Sequence, residues 1–386
     1  MVAAVALPIV LWGGIGWWYG TWHRPAQTPP ASASPVATRP KLYVATAFGD
    51  QVQVLDLASG NMLAKIPTGR LPRGLTVDGK LVYVAVSGAQ SLAVVDATTD
   101  RQAAEQMVGD IPETPSHQRV GMAKVRAANS CAACHAGMVV GSEPGPATLG
   151  PDGKLYLAET VGAQLSQLER PGLATRRTIA IAKGAPMAVL IHPQTHDGYV
   201  VSRAPGGSRA VPSGLAGVPW LDAPAEGQSW LTVYDPDFQV VRWRLELPGA
   251  GAHGAAFSPD GKEVFVSLRG ADKLAVVDTA RQTVTHTMTT AAGPAGLVAL
   301  PDGAVAVACF NAHPGVLQVL DAKTGAARRT VQVPDNPVEL TRDAATGKLY
   351  VAAAGANAVV EVDPTAGAVL RTFKTGAAPV AVAVVP

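Results

Sequence analysis

VFVSLRGADKLAVVD, residues 264–278, reads as a short apolar strand, a turn of small residues, and a second strand that ends on a carboxylate. Val, Phe and Leu favour a pleated, half-buried backbone, and Gly270-Ala271-Asp272 supplies turn chemistry. The same sentence recurs along the chain as LYVATAFGDQVQVLD (42–56), VYVAVSGAQSLAVVD (82–96), LYLAETVGAQLSQLE (155–169), VAVACFNAHPGVLQVLD (305–321) and LYVAAAGANAVVEVD (349–363). One further copy is split, with YVVSRA (199–204) rejoined at SWLTVYD (229–235), which brings the total to seven.

Between copies lie a third strand, a loop, and a fourth strand that runs into a turn such as Pro151-Asp152-Gly153-Lys154, Pro259-Asp260-Gly261-Lys262 or Pro301-Asp302-Gly303. Four strands in a period of about 40 residues mark a propeller blade, so the expected fold is an all-β, seven-bladed β-propeller over residues 41–386. The strand that precedes each turn, as in PRGLTVD (72–78), is missing before the first copy and reappears at the end of the chain as APVAVAVVP (378–386). The C-terminus is therefore expected to supply the innermost strand of blade one, which removes an open edge.

The composition agrees with a β-rich globular fold. Of 386 residues, 48% are hydrophobic and 16% charged, with 40 Gly and 31 Pro to make turns. The net charge of +2, with Lys and Arg scattered, offers nothing for nucleic acid. The lone Cys309 sits in the apolar run 304–310 and reads as a buried free thiol.

The repeat content LYVA…VLD with its PDGK turn resembles the YVTN-repeat seven-bladed propellers over about residues 41–386. That resemblance implies the fold. It says little about activity, because propellers host unrelated functions; related propellers occur in haem-containing nitrite reductases and in the large subunit of methylamine dehydrogenase.

Ahead of the propeller, residues 2–22 carry no charged side chain and end in Trp17, Trp18, Tyr19 and Trp22. The length suits one transmembrane helix with an interfacial aromatic belt, so residues 1–23 are expected to be a membrane anchor, with a cleaved signal peptide as the alternative. Residues 24–40, rich in Pro, Ala and Ser, form a linker that cannot pack a core.

Two stretches interrupt the repeat: residues 112–146, between blades two and three, and residues 205–228, inside blade four. Loops of these two kinds leave a four-stranded blade on the same face, so the insertions are expected to gather there; two unrelated loop expansions are the plainer alternative. The first insertion contains Cys131-Ala132-Ala133-Cys134-His135. Two thiols at this spacing add to the vinyl groups of haem, and the adjacent His falls under the iron, so C-x-x-C-H reads as attachment of one covalent haem c. Zinc would need further Cys or His partners, and a thioredoxin-like pair would need a βαβ context. The stretch 121–137, with Gly121 and Val125 at its small and apolar positions, resembles the first helix of small soluble cytochromes c, which implies a short helical haem-binding insertion.

His135 is the expected proximal iron ligand. For the distal position Met187 is the first expectation, with His253, His313, His117 and Met122 as alternatives and an open iron as another; Met138 lies too close to His135 in sequence to reach the opposite side. Met187, His253 and His313 are all expected in loops on the haem face, while His192 and His196 are expected at the surface in a turn on the other face. Asp222 and Glu226 are the candidates for an acid–base pair, and Arg73, Arg203, Arg209 and Arg269 are candidates for lining an anionic funnel. No metal triad, nucleophile elbow or phosphate loop occurs.

Covalent haem attachment of this kind takes place outside the cytoplasm. The expected protein is thus an inner-membrane, periplasm-facing monohaem c-type cytochrome that relays electrons beside a membrane redox complex or another cytochrome. A haem-dependent oxidoreductase acting on a small molecule in the funnel, and a structural assembly subunit, are the alternatives.

Overall fold

The alternation of two-sided apolar strands with turn residues folds as the repeat demands. The structure is a computed structural model that describes residues 39–108, 144–171, 173–204 and 227–386. The expected anchor (1–23), most of the linker, the haem motif and the body of both insertions lie outside the described residues. Residues from Arg39 to Pro386 form one unit of seven four-stranded antiparallel sheets, a seven-bladed β-propeller.

Each blade runs from an inner strand at the axis to an outer strand at the rim. The inner strands of blades two to seven are Pro72–Asp78, Pro144–Leu149, Ala185–Ile191, Ala252–Phe257, Pro294–Ala299 and Pro337–Arg342. Blade one takes its inner strand, Pro379–Val385, from the C-terminus, which pairs antiparallel with Lys41–Thr46. The ring closure expected from the displaced terminal strand is therefore the observed one.

The second and third strands of each blade are buried on both sides because blades stack face to face. Leu42 to Ala45 and Val82 to Val86 are essentially without exposed surface. The outer strands carry the alternation of a half-wet edge: Val241–Leu247 presents Arg242, Arg244 and Glu246 among apolar residues, which discourages edge-to-edge pairing. In six of the seven repeats the closing residue is an aspartate whose carboxylate caps the following turn. Asp278 Oδ1 accepts from the amides of Ala280 and Arg281, and Asp363 Oδ1 from those of Thr365 and Ala366. In the PDGK turns, Gly153 and Gly261 adopt φ of 77° and 73°, which explains the fixed glycine.

Every inner strand has a register irregularity at its first residues, as between Pro72 and Gly74, Pro186 and Ala188, or Pro337 and Glu339. A bulge turns the extra side chain away from the ladder. The seven bulges sit at the same end of the propeller, so they build one ring around the axis, with Arg73, Met187, His253 and Val338 among its members. Where the next blade approaches most closely the bulge uses glycine: a Cβ on Gly74 would lie 2.6 Å from Pro146 Cα.

Strand parity places the described ends of both insertions at this same end. The first leaves after the outer strand Arg101–Met107 and returns at Pro144; the second leaves after Arg203 and returns at Ser229. Pro144–Pro146, assigned from sequence to the insertion, belongs to the inner strand of blade three. The neck of the second insertion is closed by the Ala204 amide donating to Gln228 O at 2.8 Å.

Candidate functional site

The ring of bulges is the mouth of a cavity of about 350 Å3 on the propeller axis, to which all seven inner strands contribute. Met187, Arg73, His253 and Glu339 line it together. Met187 and His253 are in strands rather than loops. The bulge, and not loop geometry, directs them to the axis.

Met187 is 2% exposed and packs with Ala295, Phe310, Val338, Val380 and Leu71. A side chain from blade four thus joins residues from the far side of the ring and fills the mouth with apolar volume. His253 behaves differently. Its ring borders the cavity, yet both nitrogens are buried and have no hydrogen-bond partner among the described residues. Burial holds its pKa well below the ordinary value, and the nearby Arg269, Arg203 and Arg73 depress it further. His253 is therefore neutral at pH 7, with one bare nitrogen and one N–H.

The three arginines reach this imidazole by separate routes. Arg269 follows the second strand of blade five; its amide donates to Gly251 O at 3.0 Å, two residues before His253. Its Nε donates to Asn311 Oδ1 at 3.3 Å, and its Cζ stands 4.0 Å from the centre of the Phe310 ring. Arg203 pairs in register with Ser229, whose hydroxyl accepts from the Ala252 amide at 3.1 Å. Arg73 comes from the bulge of blade two, and its Nη1 donates to Thr160 Oγ1 at 2.9 Å. All three side chains are more than nine-tenths buried. Three of the four arginines proposed from sequence for the funnel are thus brought together; Arg209 lies outside the described residues.

Glu339 was not anticipated. It occupies the cavity wall beside Gly296 with the Leu340 amide on Oε1 at 3.2 Å, and burial raises its pKa to about 7. The signal was present in the repeat: the third bulge residue is Gly, Ala or Pro in the other six blades, and blade seven reads Pro337-Val338-Glu339.

His313 lies in the loop between the second and third strands of blade six, at the same end, with a 58% exposed side chain 3.8 Å from Asp335. His117, Met122, Cys131, Cys134, His135, Asp222 and Glu226 lie outside the described residues. His192 departs from expectation: it is in the turn at the opposite end, but it is 7% exposed, not a surface residue. Its Nδ1 accepts from the amides of Gln194 and Thr195, so Nε2 carries the proton and donates to Gly261 O at 3.0 Å in the next blade. His196 is exposed, as expected. Cys309 is fully buried and free, and burial pushes its thiol up to about 12.

Among the described residues no helix is long and apolar enough to cross a membrane, and no three His, Cys, Asp or Glu residues converge as a metal site.

No protein-family model matches the chain, and no curated protein matches it by sequence. Solved structures match its fold. A functionally unknown protein from Desulfotomaculum acetoxidans DSM 771 superposes with a TM-score of 0.63 at 12% identity, over 89% of this chain and 98% of that one. A streptogramin B lyase superposes with a TM-score of 0.55 at 13% identity, over 79% of this chain and 83% of that one. At these identities the likeness is one of fold.

Proposed function

We propose that the chain is a membrane-anchored, periplasm-facing haem c protein that relays electrons to or from a membrane redox complex or another cytochrome. The observation that carries this reading is Cys131-Ala132-Ala133-Cys134-His135, in a segment whose two ends, Val108 and Pro144, are tied to the end of the propeller where His253 stands. Cys131 and Cys134 would hold the porphyrin through thioethers, and His135 would be the proximal ligand. The bound haem supplies a reversible one-electron couple.

The described residues fit such a group. An iron ligand must offer a neutral nitrogen, and His253 has one that is buried and has no hydrogen-bond partner among the described residues. Met187, the other candidate on the ring, is committed to an apolar cluster. His253 is accordingly the preferred distal ligand. A residue held by the propeller as axial ligand would leave the iron little room for exogenous molecules, which favours relay over turnover at the metal. The uncharged segment 2–22 and the linker 24–40 would keep the propeller beside the bilayer.

The test is a pyridine haemochrome assay on protein made in a host competent for haem attachment. Wild type is expected to carry one covalent haem, and C131A/C134A none. Absence of haem from the wild type would end this reading.

A further inference from the structure

We propose that the axial cavity binds a small organic cation, an alkylammonium whose nitrogen meets the carboxylate of Glu339 while its apolar tail lies among the inner strands. The geometry starts from the bulges. The third bulge residue is Gly74, Pro146, Ala188, Gly254, Gly296 or Ala381 in six blades, each with little or no polar side chain. The seventh, Glu339, puts a single carboxyl on the wall of the cavity. Blade six makes room for it: a Cβ on Gly296 would stand 2.5 Å from Glu339 Oε1 and 2.8 Å from its Cα. Oε1 accepts the Leu340 amide, and the carboxyl makes no other hydrogen bond and no ion pair among the described residues.

The chemistry of the ligand follows from that carboxyl and its surroundings. A carboxylate in a water-poor site without a counter-charge is costly, and a cation brought by a ligand offsets that cost. Burial raises Glu339 only to about 7, so its anionic form is accessible at neutral pH. The other titratable side chains on the cavity are Arg73 and His253. Arg73 is held by Thr160 Oγ1 in blade three and His253 is neutral, and neither acts on Glu339. Leu75, Val189, Leu297, Leu340 and Val382 give the same space apolar walls. Its volume of about 350 Å3 lies near the lower end of pockets that enclose small molecules, roughly 300–1,000 Å3, which suits one short chain. An alcohol of the same shape would fill the tail space but leave the carboxylate uncompensated, and an aliphatic carboxylate would add a like charge. The expected order of affinity is therefore ammonium, then alcohol, then carboxylate.

The test is calorimetry on the full chain. The n-alkylammonium chlorides from methyl to hexyl are titrated into wild type and into C131A/C134A, so the site is decided with or without an attached haem. The alkanols and alkanoates of matching length are the controls. At least one ammonium is expected to bind saturably to one or both chains, at least tenfold more tightly than its alkanol. E339Q should bind it at least tenfold more weakly than wild type, and E339D, which keeps the charge, more tightly than E339Q. Binding should weaken as pH falls below 7 and Glu339 takes up its proton, a dependence that E339Q should lack.

Thermal unfolding verifies that each variant is folded, and the preference for ammonium over alkanol in the unsubstituted site decides the question even if E339Q is not. Three results would overturn the proposal: no member of the ammonium series binds either chain saturably, the alkanols bind as tightly as the ammoniums, or folded E339Q binds as tightly as wild type.

Discussion

Val44 and Val382 stand opposite each other in antiparallel register, and so join the two ends of the propeller in blade one. Their pairing is the seam of the ring: Val44, Leu42 and Val382 pack in one cluster with Tyr350 and Val359 of blade seven. Chain closure and blade stacking therefore depend on the same few side chains.

The seam should be sensitive to a single charge. Val382 is 5% exposed, so Val382→Asp buries a carboxylate in an apolar cluster at a cost of roughly 3 kcal/mol or more. Removal of residues 379–386 should do more, exposing the edge of Lys41–Thr46 and promoting association. Thermal unfolding by circular dichroism, with size-exclusion chromatography, reads both. A truncated chain that stays monomeric with an unchanged melting temperature would contradict the seam.

A second lock joins blade seven to the returning strand. Asn357, in the left-handed conformation, accepts the Ala378 amide on Oδ1 at 2.9 Å. Ala378 is 1% exposed, so Asn357→Ala leaves a buried N–H unmet and should cost about 1–3 kcal/mol. Asn357→Asp keeps both the acceptor and a tolerated backbone and should lie near wild type. Equal losses in the two variants would mean that the hydrogen bond contributes nothing.

His253 and Met187 should separate spectroscopically. In haem-bearing protein, His253→Ala is expected to turn the reduced spectrum high-spin and sensitive to carbon monoxide, and Met187→Leu to leave it low-spin. The reverse pattern would make Met187 the ligand. In the C131A/C134A background His253→Leu should not lower stability, because it removes two buried nitrogens that have no partner among the described residues.

Glu339 should impose a pH dependence of definite sign. Its pKa is about 7 in the folded chain and near 4.5 when exposed, so between these values the folded state binds the extra proton. Stability should therefore fall as pH rises from 4.5 to 7, by up to about 3 kcal/mol, and level off from this group above pH 7. Glu339→Gln should lack that slope and exceed wild type at neutral pH. Parallel curves of melting temperature against pH would rule it out.

Thiol counting tests the haem and the fold together. Cys309 is buried and its thiol is pushed up to about 12, so it should not react with Ellman's reagent in native protein, even at pH 9. In guanidinium the titre should be one thiol if haem occupies Cys131 and Cys134, and three if it does not. Rapid labelling of native Cys309 would show that blade six opens.

Much of the fold was legible because its determinants are local. The two-sided apolar run from Leu42 to Ala45, the aspartate that caps the third-strand turn in six of the seven blades, and the glycine that PDGK needs at positive φ all act within a few residues. Seven copies made the period plain. Even the seam was readable, since APVAVAVVP matched the one strand missing from the first repeat. The common end of the strands that flank the two insertions followed from counting strands, a matter of parity rather than of packing.

The sequence by itself thus determined the blades, their number, the order of strands, and the motif Cys131-Ala132-Ala133-Cys134-His135, whose chemistry resides in a pentapeptide. Only the tertiary structure decided which side chains share the axis. A bulge re-aims Arg73, Met187 and His253 inward, the last two at positions that the repeat pattern assigned to loops. His192 is buried against the next blade, where the Gly261 carbonyl accepts its Nε2–H hydrogen bond, although its own turn reads as polar surface. Glu339 and the three arginines acquire their electrostatic character from distances across the ring and from the exclusion of water. Both depend on contacts between residues far apart in the chain, and no window of sequence contains them.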